Sequence, residues 1–171
     1  VIPIRNIYYM LSYAFRALNP QGYKHVSVEQ FDNVLEMLSS VLAKGVSIQI
    51  KRGIGKGYLE RIESLCSPRG RFELSESIKT NCIYKNHLVC SYDIFSENIY
   101  MNRIIKSTIE LLIRSDISKT RKKELRRLLV YFSDVSSIDV NNINWNMHYN
   151  RNNRTYQMLV SICHMIIKGL L

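Results

Sequence analysis

Proline is scarce in this chain, at three residues in 171, and glycine is little commoner at seven. That scarcity excludes collagen-like and Pro/Gly-rich low-complexity architectures. Long apolar runs are missing as well: no stretch approaches the roughly 18 apolar residues that cross a bilayer. The N-terminal VIPIRNIYYM lacks the charged n-region and unbroken apolar core of a secretion signal. It also lacks an initiator Met, so the sequence reads as a trimmed or partial one. Cys66, Cys82, Cys90 and Cys163 form no C-x-x-C pair and no metal-ligand spacing. They read as reduced cytoplasmic thiols, several of them buried, and not as a disulfide framework or zinc site. The histidines (His25, His87, His148, His164) are scattered. Cys163 and His164 are adjacent, but helix neighbours point about 100° apart, so the pair reads as core cysteine beside surface histidine.

Acidic residues are the other shortage. Asp and Glu number 14 against 24 Lys and Arg, a formal net charge of +10. Such a surplus implies a polyanionic partner or an acidic protein surface and says nothing about fold. Hydrophobic residues at 46% suit a globular chain with one good core.

Three glycines sit together in KRGIGKGY, residues 51–58. A phosphate loop needs G-x-x-x-x-G-K-[ST], whereas Gly53, Gly55 and Gly57 alternate and Lys56 precedes glycine. The third glycine of a dinucleotide fingerprint would fall on Tyr58. A basic turn is the better reading.

Periodicity supplies the elements. Ile4, Ile7, Leu11, Ala14, Phe15 and Leu18 predict a first helix, and the capping pattern of Ser27 and Gln30 opens a second through Phe31, Val34, Leu35, Leu38, Val41 and Leu42. The second helix ends at Gly45 or runs on to Arg52, with Val46, Ile48 and Ile50 equally suited to a short strand. From Tyr58 to Lys79 alternation broken at SPRG predicts a β-hairpin, with Leu59/Arg61 and Phe72/Leu74 in its arms and Pro68 and Gly70 in its turn. HLVCSYD, residues 87–93, reads as a further strand. Ser96 then caps a long helix with Ile99, Ile105, Ile109, Leu112 and Ile113 inward; KTRKKELRRLLVYF makes a short basic helix; a last helix covers about residues 155–170 after an Asn-rich loop. The order gives an α+β fold: N-terminal helices, a small antiparallel sheet with a basic β-hairpin, and C-terminal helices. We read it as one domain, helical over 1–52, sheet over 58–94 and helical over 96–171.

Catalytic signatures are absent. A PD-(D/E)xK nuclease needs an acid two residues before a lysine, and no lysine here has one. Glu76 and Lys79 in ESIK are one residue too far apart and would lie on opposite faces of a strand. There is no H-E-x-x-H, no G-x-S-x-G and no tight carboxylate cluster. Two basic features remain. Arg69 and Arg71 flank the hairpin tip, where guanidinium groups reach a groove, pore or acidic cleft. Arg121, Lys122, Lys123, Arg126 and Arg127 form a helical patch, ordinarily a solvated face and alternatively a nucleic-acid surface. Tyr8, Tyr9 and Tyr13 read as packing residues before base-stacking ones.

IPIRNIYYMLSYAF, RGRFELSESIK, SYDIFSENIYMNRIIKSTIELLI and TYQMLVSIC resemble the N-terminal half of the McrC family, the nuclease-bearing subunits of McrBC 5-methylcytosine-dependent restriction systems. The likeness covers nearly the whole chain, apart from GIGKGYLERIE. It implies docking on a McrB-like AAA+ GTPase hexamer, stimulation of GTP hydrolysis, and DNA engaged through the complex, with no membrane. It also implies a C-terminal PD-(D/E)xK nuclease domain beyond Leu171, so no catalytic role is expected within these residues. GTP and Mg2+ would belong to the ring, and Mg2+ to that nuclease domain; none is expected in this chain. The positions carried over as partner-binding are Arg5 and Asn6, Arg69, Gly70 and Arg71, and Asn102, Arg103 and Lys106. For Arg5 a helix-start charge is the simpler role, and for Asn102 and Arg103 a structural network is equally good.

Overall fold

The computed structural model describes residues 34–150 and 153–170. The first predicted helix, the Ser27 cap, Arg5, Asn6 and the three early tyrosines lie outside them. The chain divides into two compact units: one of residues 1–54 and 100–171, whose described elements are helices, and a sheet unit, Gly55–Ile99, that falls between its parts in the sequence.

In the helical unit, α1 (Val34–Arg52) runs to its later predicted end. Residues Met37 to Ala43 are all buried, Ser39 and Ser40 included, as are Gly45 and Val46, so α1 is covered on every side here where an amphipathic helix would bury one stripe. It packs on α4 (Lys119–Leu129) and α5 (Arg154–Leu170), and α3 (Tyr100–Arg114) packs on the same two helices. Ile104, Ile105, Ile109 and Leu112 of α3 meet Leu159, Cys163, Ile166 and Ile167 of α5 in one apolar core. Each set repeats at three- and four-residue spacing, which places it on one helix face. Gly53 closes α1: at φ +100° it turns the backbone out of the helix, and its N–H donates to the Ile50 carbonyl at 3.0 Å. The glycines of GIGKG therefore begin with a helix stop.

The sheet unit holds β1 (Gly57–Leu65), β2 (Arg71–Phe72), α2 (Leu74–Lys79), a 3-10 turn (Cys82–Lys85) and β3 (Leu88–Ser96). The α+β class holds. The predicted hairpin does not. The strand order is β1-β3-β2, with both outer strands antiparallel to β3 and unpaired with each other. β1 pairs with β3 over nine residues, from Gly57↔Ser96 to Leu65↔Leu88, a ribbon of about 30 Å. Residues 66–70 do not turn β1 back on itself but carry the chain past β3 to its far edge. The physical reason lies in the two sequences that compete for β1. β3 offers Val89, Tyr92, Ile94 and Phe95, all strong strand formers, while β2 stops at Phe72 because LSESIK folds into α2. Glu76 and Lys79 share a helix face there and are ion-paired at 2.8 Å, so they do not point apart as a strand would require.

Candidate functional site

Midway along the ribbon, beside Ser91 and Tyr92 of β3, the crossover to β2 makes a close approach. Gly70 has φ +72°, and a Cβ there would lie 2.4 Å from the Ser91 carbonyl oxygen and 2.7 Å from Tyr92 Cβ. Only a glycine backbone fits so near β3. Gly70 thus has a structural duty in the crossover, and the two arginines beside it are held by the sheet. The Arg69 guanidinium lies 4.7 Å from the centre of the Tyr92 ring, a cation–π contact. The Tyr92 hydroxyl donates to Glu63 at 2.8 Å, which raises its pKa, and Glu63 also pairs with Arg61 at 3.0 Å. Arg71 donates through Nε to Glu73 Oε1 at 2.9 Å, with Glu60 at 3.7 Å. Its side chain stays 74% exposed, so this pairing is weak and open to exchange.

α2 is pinned by one buried hydroxyl. Ser77 Oγ donates to the Glu73 carbonyl at 2.9 Å and accepts from the Val89 N–H at 2.8 Å. Asn81 and Asn86, both at positive φ, bracket the 3-10 turn that returns the chain to β3. This assembly exposes five large apolar side chains, Phe72, Leu74, Ile78, Ile83 and Tyr84, the last at 89%. Along the ribbon Tyr58 and Phe95, opposite in register, stack at 5.1 Å in the open, with Ile62 exposed on the same face. Of twelve exposed large hydrophobics among the described residues, eight belong to the sheet unit, whose buried hydrophobics are only Val89 and Cys90. A sheet unit this thin does not bury its own apolar surface, and such a surface marks an interaction site. Sequence alternation missed it, because Leu74 and Ile78 look like inward strand residues until they are placed on a helix. The apolar i, i+4 spacing within LSESI was the available signal.

The other carried-over positions lie in the helical unit. Asn102 is fully buried in α3. Arg103 is half-buried, and its Nε finds no hydrogen-bond acceptor among the described residues. Lys106 is a clamp: its ammonium donates to the carbonyls of Phe132 at 3.0 Å and Val135 at 2.5 Å, where the chain leaves the 3-10 turn Val130–Phe132 after α4. The basic helix splits in two. Ser118 caps α4, its Oγ accepting from Arg121 N–H and donating to Glu36 at 2.7 Å. Arg121, 13% exposed, reaches Glu36 of α1 at 3.7 Å and pairs with Glu124, so it is an internal tie and not part of an outer face. Lys122 is half-buried, while Lys123, Arg126 and Arg127 are exposed.

Lys56 pairs with Glu97 at 3.1 Å beside the glycine turn. Cys163 is wholly buried, and burial pushes its thiol up to about 12, away from any nucleophilic role; His164 stacks on Trp145 at 4.4 Å. All four cysteines are free, two of them buried. Among the described residues no helix is long and apolar enough to cross a membrane, and no three His, Cys, Asp or Glu side chains gather into a metal site.

Comparison with known proteins gives concordant results. The family described as "McrBC 5-methylcytosine restriction system component" matches residues 4–171. The "Type IV methyl-directed restriction enzyme EcoKMcrBC" of Escherichia coli K12 is 32% identical over 99% of this chain, which spans 49% of that protein's length. Two solved structures from Thermococcus gammatolerans share the fold. The McrBC complex aligns with TM-score 0.62 at 16% identity, over 92% of this chain and 51% of that one. A half-complex from a tetradecameric assembly of McrB AAA+ hexamers with bound McrC aligns with TM-score 0.64 at 17% identity, over 94% and 42%.

Proposed function

We propose a function from one premise: this chain belongs to the family of McrBC 5-methylcytosine restriction system components. Within such a system it is the part of the McrC-like subunit that docks on a McrB-like AAA+ hexamer and stimulates its GTP hydrolysis. The cutting of DNA falls to residues other than these, in keeping with lysines that have no acid two positions earlier. The compartment is the cytoplasm, where DNA restriction takes place and free thiols persist.

One observation carries the docking reading: the apolar exterior of the sheet unit, far larger than its interior. Ile78, Ile83 and Tyr84 are the anchors, and Arg69, Gly70 and Arg71 lead into the exposed Phe72 of the same unit. Activation follows from ordering the ring subunits. A charge inserted near a γ-phosphate is the second route, open to Arg71 because its exposed pairing with Glu73 is exchangeable.

The test is GTP turnover by the cognate ring protein with and without this chain. Stimulation is expected with the native chain, and Ile78→Ser combined with Tyr84→Ala should reduce it about tenfold or more, as loss of hot-spot contacts does. Arg71→Ala should reduce it by less than about threefold, under 1 kcal/mol. An Arg71→Ala chain that binds the ring normally but no longer stimulates it would transfer the role to an inserted charge.

A further inference from the structure

The outer face of α4 is a stripe of unbalanced positive charge. Lys119, Lys123, Arg126 and Arg127 are all exposed. Their spacing of four, three and one residues aligns them along one side of the helix. The inner side is occupied by the buried Leu125 and Leu128 and by Arg121 with its glutamates. Glu124, the sole acid in α4, is engaged by Arg121, and no carboxylate among the described residues pairs with any of the four outer cations. Four exposed cations of the sheet unit are balanced locally, Lys56 by Glu97, Arg61 by Glu63, Arg71 by Glu73 and Lys79 by Glu76, whereas α4 gathers four on one side with no acid.

Helix stability does not account for the stripe. Arg126 and Arg127 suit the negative end of the helix dipole, but Lys119 and Lys123 stand in the N-terminal half, where the dipole disfavours cations, and the first turn holds no acid. Like charges at i and i+4 repel further. An arrangement that costs the free helix stability gains it back when an anion is present.

We propose that this stripe holds the phosphodiester backbone of a DNA duplex. From Lys119 to Arg127 it is about 12 Å long, a length over which B-DNA carries about seven charges. The two arginines present forks that fit phosphate. Tyr131, 55% exposed just past the helix end, adds a hydroxyl of the kind that donates to phosphate oxygens. The stripe reads no bases. Its contribution is uniform affinity, which lets a restriction assembly stay on the DNA it acts on whatever the sequence. The inference stands on α4 alone and does not depend on how the sheet unit is used.

The test is fluorescence anisotropy of the whole chain with an unmodified duplex of about 30 base pairs, titrated at salt between about 50 and 200 mM. Arg126→Ala with Arg127→Ala should weaken binding about tenfold and flatten the log K against log[salt] slope by about 1.8, two phosphate contacts' worth. Lys51→Ala with Lys168→Ala, the same charge loss at exposed positions on α1 and α5, should leave the slope unchanged. Absence of duplex binding by the native chain overturns the proposal, as does an equal loss in the two double variants. Poly-glutamate bound as tightly as the duplex, with the same loss in the α4 variant, assigns the stripe to an acidic protein surface instead.

Discussion

Gly70 sits where the crossover passes hard against β3, at positive φ with the Ser91 carbonyl 2.4 Å from the place a Cβ would take. Gly70→Ala combines a disfavoured backbone conformation with a clash against backbone, so it should cost about 2–4 kcal/mol within the sheet unit. Urea unfolding followed at this unit would show it; a loss below about 0.5 kcal/mol would mean the crossover relaxes freely. The glycine itself was legible in SPRG as a turn residue, but its neighbour across the sheet was not. The same limit applies to the cations. Arg121 and Arg126 look alike in KTRKKELRRLL, yet one is tied to Glu36 on a distant helix and the other stands in solvent. Lys106, carried over as a partner-binding position, gives no sequence sign of its clamp, because the carbonyls it holds come 26 and 29 residues later.

Elements with a clear period were read with the right type. α3, α4, α5 and β3 all appear near their predicted positions, because apolar spacing reports which face is buried whatever lies opposite. α1 runs to Arg52, the helical one of its two readings. The hairpin failed because strand pairing is a long-range choice: alternation in YLERIESL marks a strand but not its partner. LSESIK is short enough for either period, and as α2 it is tied to β3 by Ser77, whose hydroxyl satisfies the Val89 N–H. Ser77→Ala leaves that buried N–H without an acceptor and should cost about 1–3 kcal/mol. Amide exchange is the direct readout: Val89 should exchange roughly ten- to hundredfold faster while α3 and α5 keep their protection. Unchanged Val89 protection would show that α2 is held by other contacts.

For the molecule as a whole, composition and charge pointed to an anionic or acidic partner, and the structure adds a second, apolar surface that the charge count does not register. The helical unit buries a continuous core; the sheet unit inserted in it buries little and exposes much. The two proposed roles call for different partners, DNA along α4 and a protein ring on the apolar exterior of the sheet unit. They also separate the account's claims, since salt should weaken the first steeply and the second much less. The measurement that bears most directly on ring docking is hydrogen–deuterium exchange of the whole chain with and without the cognate ring protein and nucleotide. New protection is expected over residues 58–62 and 72–85, with α4 unchanged in the absence of DNA. Protection confined to residues 119–131, or none at all while the ring is demonstrably bound, would contradict it.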